Sequence, residues 1–343
     1  MFAYRCSVPN PSKSPTVIGH RGAPGYLPEH TAASYLRAFA DGVDAVEPDI
    51  VISRDGILVV RHENEISGTT DVADHPEFAD RHAVKTVDGR ELTGWFAEDF
   101  TWAELATLRA RERLPELRPQ SAAFDDQYGI LRLTDLLALI TQTPDVGLVA
   151  ELKHPTYFTS IGFDLGALFK AELEETGWLA QGRRLVVESF EGRVLDELKA
   201  ADLAAEFVYL LENSGSAPDE VASSGATAVT YAQQLSSAGL IKLAERFDGI
   251  SLDKQTLART PGLVERAHNA GLEVFCWTLR PENRFLGKYL RAGDDPAAFG
   301  NYQAEWFRLM QLGLDGVFAD YPDLALRIRD QIAGSGPDDG RLA

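Results

Sequence analysis

Between Val17 and Glu63 the chain places chemistry-bearing side chains at the ends of short apolar runs. His20 and Arg21 close the first run, Glu47 and Asp49 sit in the second, and His62 closes the third. Such groups are costly to leave idle near a core, so they read as a site. Glu47 and Asp49 are two apart in an extended run, which points both side chains to one face. Two carboxylates held that close repel unless a cation or a proton sits between them. Oxygen ligands of this kind suit Mg²⁺ or Ca²⁺, with Mn²⁺ as a third choice, better than zinc. Glu151, in the run AELKHP, adds a third acid, and Lys153 follows it at i+2 on the same face. That set can hold a metal and a phosphate together; the alternative, a salt-bridge cluster capping the fold, stays open on these residues alone. His20 and His62 form an acid–base pair, because imidazole titrates near neutrality and can enter a reaction as base or as acid. Phosphodiester cleavage needs both roles, one to activate the nucleophile and one to protonate the leaving alkoxide. Arg21 can grip non-bridging phosphate oxygens in a bidentate manner.

These residues need elements to position them. Short β-branched runs alternate with longer segments of helical period, the pattern of βα units and a parallel sheet. The expected strands are 16–20, 45–50, 148–152, 185–189, 207–211, 249–253, 273–277 and 316–320. Eight such strands predict a TIM (β/α)8 barrel, with helices at 31–41, 133–142, 161–176, 191–201, 256–270 and 301–312. A ninth run, 58–63, follows the second strand after only SRDG, too short for a parallel crossover. It must return as an antiparallel hairpin with Asp55-Gly56 in the turn, bringing His62 back toward Glu47 and Asp49. Residues 64–132 break the alternation and read as an insertion packed over the C-terminal face of the barrel, where it would shape access to the site. Residues 1–333 then form one domain, and the Gly-rich tail 334–343 is expected to be disordered.

Composition narrows the partners. A formal net charge of −19 argues against nucleic acid and against anionic membranes. No segment reaches about 18 unbroken apolar residues, so no membrane span is expected. The first residues carry no apolar stretch of signal-peptide length, which makes the cytoplasm the expected location. Cys6 and Cys276 match no metal spacing, and Cys276 lies in the apolar run VFCWTL as a core thiol. The oligomeric state is not legible.

The motifs His20-Arg21-Gly22, Pro28-Glu29-His30-Thr31, Glu47-Pro48-Asp49, Asp55-Gly56 and His62-Glu63 together resemble the signature of the glycerophosphodiester phosphodiesterases. The resemblance continues through Glu151-Leu152-Lys153, ESF at 188–190, Trp277-Thr278 and GLDGVFADYPD at 313–323, and the insertion is similar to that of the larger bacterial members. It implies a TIM barrel, a divalent metal, and hydrolysis of small glycerophosphodiesters to sn-glycerol 3-phosphate and an alcohol. By matching position it implies His20 and His62 as acid and base, Glu47, Asp49 and Glu151 on the metal, Arg21 and Lys153 on phosphate, and Trp277 lining the glycerol pocket. Two positions depart from the signature: His30 replaces an Asn and Glu63 an Asp. With Glu29 they are expected to act behind the site residues, through retuned hydrogen bonds. Two other readings are a phospholipase D-like enzyme acting on lysophospholipids, whose members have a shorter interval between the histidines, and a non-catalytic phosphodiester-binding barrel.

Overall fold

The computed structural model describes residues 14–334. Its strands are β1 (Thr16–His20), β2 (Ala45–Glu47), β3 (Asp49–Ile52), β4 (Leu58–Val60), β5 (Ala83–Val87), β6 (Arg90–Gly94), β7 (Gly147–Leu152), β8 (Leu185–Ser189), β9 (Glu206–Leu211), β10 (Gly249–Asp253), β11 (Glu273–Leu279) and β12 (Gly316–Ala319). Parallel pairing runs β1-β2-β7-β8-β9-β10-β11-β12 and returns to β1, closing an eight-stranded barrel. The fold is thus the TIM barrel that the alternation predicts. The expected strand 45–50 is interrupted at Pro48, which has no N–H for the ladder. The interruption costs no register: Ala45 pairs with Gly147 in β2, and Asp49 pairs with Glu151 in β3. Beyond it β3 turns back into β4 as an antiparallel arm, with Ile52 opposite Leu58 and Ile50 opposite Val60. Gly56, at φ +79°, supplies the left-handed residue of that turn.

Two helical expectations need correction. The span 256–270 is two helices, Lys254–Arg259 and Leu263–Ala270, because Pro261 and Gly262 (φ +70°) interrupt it. The span 161–176 starts late, at Leu165, where Asp164 caps the helix by accepting from the Ala167 N–H. It is preceded by a separate short helix, Pro155–Ser160. The last helix, Pro322–Gly334, includes Gly334, the first residue of the expected tail; the remainder of that tail and Cys6 lie outside the described residues. Cys276 is fully buried, as expected. Among the described residues no helix is long and apolar enough to cross a membrane.

The barrel interior explains where chemistry can occur. Ile18, Ala45, Val149, Val186, Val208, Phe275 and Phe318 form one buried apolar plug inside the strands. Side chains two residues further along a strand point the same way, one layer nearer its C-terminal end. Those residues are His20, Glu47, Glu151, Glu188, Leu210, Trp277 and Asp320, and all but Asp320 line a single cavity of about 900 Å³. The residues after the β4 arm cover the same end: Val87, Asp88, Arg90 and Leu92, from the β5–β6 hairpin, form part of the cavity wall.

Candidate active site

The segment after β1 is built to place two side chains on Asp49. Arg21 and His30 both adopt left-handed backbone conformations (φ +57° and +58°), each costing roughly 1–3 kcal/mol for a non-glycine residue. The turn is held by Arg21 N–H to the Glu47 carbonyl at 3.1 Å and by His30 N–H to the Arg21 carbonyl at 3.1 Å. Gly22, at φ +94°, leaves no room for a Cβ, which would stand 2.6 Å from Ser34 Oγ. As a result Arg21 Nε lies 3.2 Å, and His30 Nε2 2.8 Å, from the same oxygen, Asp49 Oδ2. His30 Nδ1 is 2.8 Å from the Tyr35 hydroxyl. Carboxylate oxygens only accept, so Nε2 carries a proton, while the single Tyr35 hydroxyl proton lies between His30 Nδ1 and the Glu47 carbonyl oxygen, 3.1 Å away. His30 is fully buried and has no wall of the cavity, so the substitution retunes the support of Asp49.

Glu47, Asp49 and Glu151 each offer a carboxylate oxygen, all within 4.8 Å of one another, and all three residues are buried. Lys153 Nζ donates to Glu151 Oε1 at 2.7 Å and stands 3.3 Å from Asp49 Oδ1. Asp49 Oδ1 nonetheless accepts no hydrogen bond. Burial and the neighbouring acids Asp49, Glu188 and Glu151 push Glu47 well above the usual carboxylate range. Glu151 is pushed up to about 8, by burial and by Asp49, against the pull of Lys153. Asp49 goes the other way: burial is outweighed by Lys153, His62, Arg21 and the His30 hydrogen bond. Crowded, partly protonated, all-oxygen donors with an orphaned lone pair are what a hard divalent cation satisfies, so this triad can hold a metal ion.

Each expected histidine is anchored to a carboxylate. His20 Nδ1 bonds Asp320 Oδ1 at 2.5 Å, and its Nε2 lies 3.9 Å from Glu47 Oε2. Asp320 is itself held through Oδ2 by Arg118 Nη2 at 2.5 Å and Arg280 Nε at 2.7 Å, cations that outweigh burial and keep it ionised. His20 therefore has its proton on Nδ1 and a lone pair on Nε2. Burial, then Arg21, lowers its pKa to about 4. The hairpin returns as expected: Arg61 N–H donates to the Asp49 carbonyl at 2.9 Å, and His62 follows at the cavity wall. His62 Nδ1 pairs with Glu63, which also accepts from Arg113 Nη2 at 2.7 Å. Burial, Arg21 and Lys153 hold His62 well below its usual range. Glu29 does not reach the cavity; it accepts from Arg21 Nη1 at 3.0 Å and from Arg113 Nη2 at 2.6 Å. Trp277 lines the cavity with its ring 6.0 Å from that of Phe190, in an edge arrangement.

Sequence reasoning missed several members. Asp320 and Glu188 lie two residues past the apolar plug positions Phe318 and Val186, so the strand alternation carried a signal for both. Arg113 and Arg118, in the irregular stretch after the hairpin, carry no local signal. Period-two alternation would turn His154 away from Lys153 if the strand continued. The strand ends at Leu152, and His154, at φ +53°, instead lines the cavity and pairs with Asp88 at 2.5 Å.

The profile of the glycerophosphoryl diester phosphodiesterase family matches residues 20–324. The chain belongs to that family. A glycerophosphodiester phosphodiesterase of Arabidopsis thaliana is 33% identical over 335 residues, covering 91% of this chain and 85% of the relative. One of Treponema pallidum is 25% identical over 347 residues, covering 91% and 90%. Among solved structures, a phosphodiesterase of Oleispira antarctica in complex with the product sn-glycerol 3-phosphate superposes with a TM-score of 0.62 at 23% identity, covering 92% of this chain and 97% of that one. A glycerophosphodiester phosphodiesterase of Agrobacterium tumefaciens superposes at 0.57 and 18% identity, covering 91% and 99%. These structures share the barrel, and the family carries the activity: this glycerophosphodiester phosphodiesterase is a phosphoric diester hydrolase.

Proposed function

We propose that the chain hydrolyses glycerophosphodiesters to sn-glycerol 3-phosphate and an alcohol, with His20 as base, His62 as acid and one divalent cation, Mg²⁺ or Ca²⁺, on Glu47, Asp49 and Glu151. The observation that carries this reading is the pair of carboxylate-anchored imidazoles beside a buried three-carboxylate cluster. A bound cation would neutralise phosphate charge and stabilise the charge built in the transition state. Arg21 and Lys153 reinforce it with fixed positive charge from the cavity wall. Asp320 keeps the His20 proton on Nδ1, leaving Nε2 to take a proton from the nucleophile. It also stabilises the imidazolium that results. His62 is the more open of the two, its side chain 33% exposed against 7% for His20, and its partner Glu63, with Asp49, opposes the groups that lower it and favours the imidazolium needed to hand a proton to a departing alcohol. The resemblance assigns Trp277 to the glycerol end of the cavity. Residues 1–333 would act as one catalytic unit.

Turnover of glycerophosphocholine with added Mg²⁺ or Ca²⁺ tests the reading. His20→Ala and His62→Ala should each lower kcat by roughly 10²–10⁴-fold with the fold intact. Near-normal turnover by either variant, or activity indifferent to exhaustive chelation, would defeat the respective part of the assignment. Faster turnover of lysophosphatidylcholine than of glycerophosphocholine would favour the phospholipase D-like reading.

A further inference from the structure

Glu188 has been given no role in metal holding, phosphate contact or proton transfer. It sits on β8 directly across from Glu151 on β7, one layer above the apolar plug, and it is 1% exposed. Its Oε2 has no hydrogen-bond partner among the described residues, although the residue lines the cavity. No cation among the described residues is hydrogen-bonded to it. Trp277 Nε1, a donor in the same layer above the plug, is likewise buried and without a partner among the described residues; Arg21 Nε and Glu191 Oε1 are the other such atoms on residues that line the cavity. Leu210, Phe190 and Phe318 add apolar surface to this cavity beside polar residues such as Lys153, Glu212 and Lys254. A ligand that satisfies both Glu188 Oε2 and Trp277 Nε1 must donate to one and accept from the other. A hydroxyl group does both, whereas an ammonium group only donates and a phosphate oxygen only accepts at neutral pH.

We infer that Glu188 is a specificity-determining residue that accepts a hydrogen bond from a glycerol hydroxyl of the substrate, with the Trp277 indole N–H as a donor in the same cavity. The inference rests on the glycerophosphodiester reading and extends it: phosphate recognition lies on the β1–β7 arc of the barrel, polyol recognition on the β8–β11 arc. Its test is calorimetric binding, with Mg²⁺ or Ca²⁺ present, of sn-glycerol 3-phosphate and of n-propyl phosphate, which has the same length and no hydroxyls. The wild-type protein should prefer the glycerol ester by roughly 10- to 100-fold, the range for a hydrogen bond to an ionisable partner. Glu188→Met, similar in length but without an acceptor, should weaken the glycerol ester alone and close most of that gap; Glu188→Gln, which keeps a carbonyl oxygen, should retain part of it. Equal weakening of both ligands, or of metal binding, would overturn the inference and place Glu188 with the metal and phosphate groups. No change in either ligand would overturn it as well. Failure of the wild-type protein to cleave glycerophosphocholine would instead strike the function proposed above, since the binding comparison needs no turnover.

Discussion

Replacement of Asp320 by Asn isolates the orientation of His20 from its presence. The carboxylate is fully buried and makes three charged contacts: Oδ1 to His20 Nδ1 at 2.5 Å, and Oδ2 to Arg118 Nη2 at 2.5 Å and Arg280 Nε at 2.7 Å. An Asn side chain has the same shape but only one accepting oxygen. Two guanidinium donors compel that oxygen to stay on the Oδ2 side, which turns the amide NH₂ toward His20. An NH₂ only donates, so His20 must present a lone pair at Nδ1 and carry its proton on Nε2. The atom proposed as base is then occupied. A wrong-tautomer catalytic histidine loses on the order of 10⁴ in kcat in the best-studied hydrolase triad, so a fall of about 10²–10⁴ is expected here with KM little changed. Stability should fall as well. Arg118 keeps Glu282 at 2.7 Å, but Arg280 loses its charged partner, and breaking one side of a buried pair costs about 3–5 kcal/mol at most. Steady-state kinetics on glycerophosphocholine, with thermal melts in parallel, measure both effects. A folded variant retaining kcat within about threefold of wild type would refute the tautomer argument.

Two further outcomes follow from the acidic triad and its support. Glu151 is pushed up to about 8 by burial and by Asp49, so below that pH the metal-free protein holds a proton there. A carboxyl with a folded pKa above its unfolded value of about 4.3 contributes stability at low pH and loses it as pH rises toward 8. A divalent cation binds the ionised form, so Mg²⁺ or Ca²⁺ should raise the melting temperature more at pH 8 than at pH 6; equal shifts would contradict the assignment. His30→Ala removes the donor 2.8 Å from Asp49 Oδ2 and leaves the Tyr35 hydroxyl with one partner fewer. Metal affinity, measured by calorimetric titration, should fall roughly 10–100-fold, with His30→Asn recovering part of it, and an unchanged affinity in the alanine variant would show that His30 does not position Asp49.

Much of this site was legible because strand geometry is short-range. His20, Glu47 and Glu151 each sit two residues past an apolar position, and period-two alternation puts such residues inside the barrel mouth. The return of His62 followed from chain length alone, since four residues cannot make a parallel crossover. Pro48 was visible but its effect was not: whether a proline ends a strand or merely interrupts it depends on the partner, and β7 holds the same register on both sides. The direction of His154 is set by a left-handed backbone at the strand end, a conformation that no pattern in the surrounding residues announces.

By itself, then, the sequence determined the alternation of strands and helices, the acids and histidines that ring the barrel mouth, and the motifs shared with the family. Those are properties of residues near one another in the chain. Only the tertiary structure decided which charges meet. Arg113 bridges Glu29 and Glu63, Arg118 grips Asp320 from 202 residues away, and His30 reaches Asp49 through a strained turn. Glu188 and Trp277 come to lie in one layer of the barrel mouth, each with a buried polar atom that no described residue satisfies. Ion pairs of this kind depend on where irregular segments come to rest over the barrel, and that is settled by packing and desolvation across the whole chain.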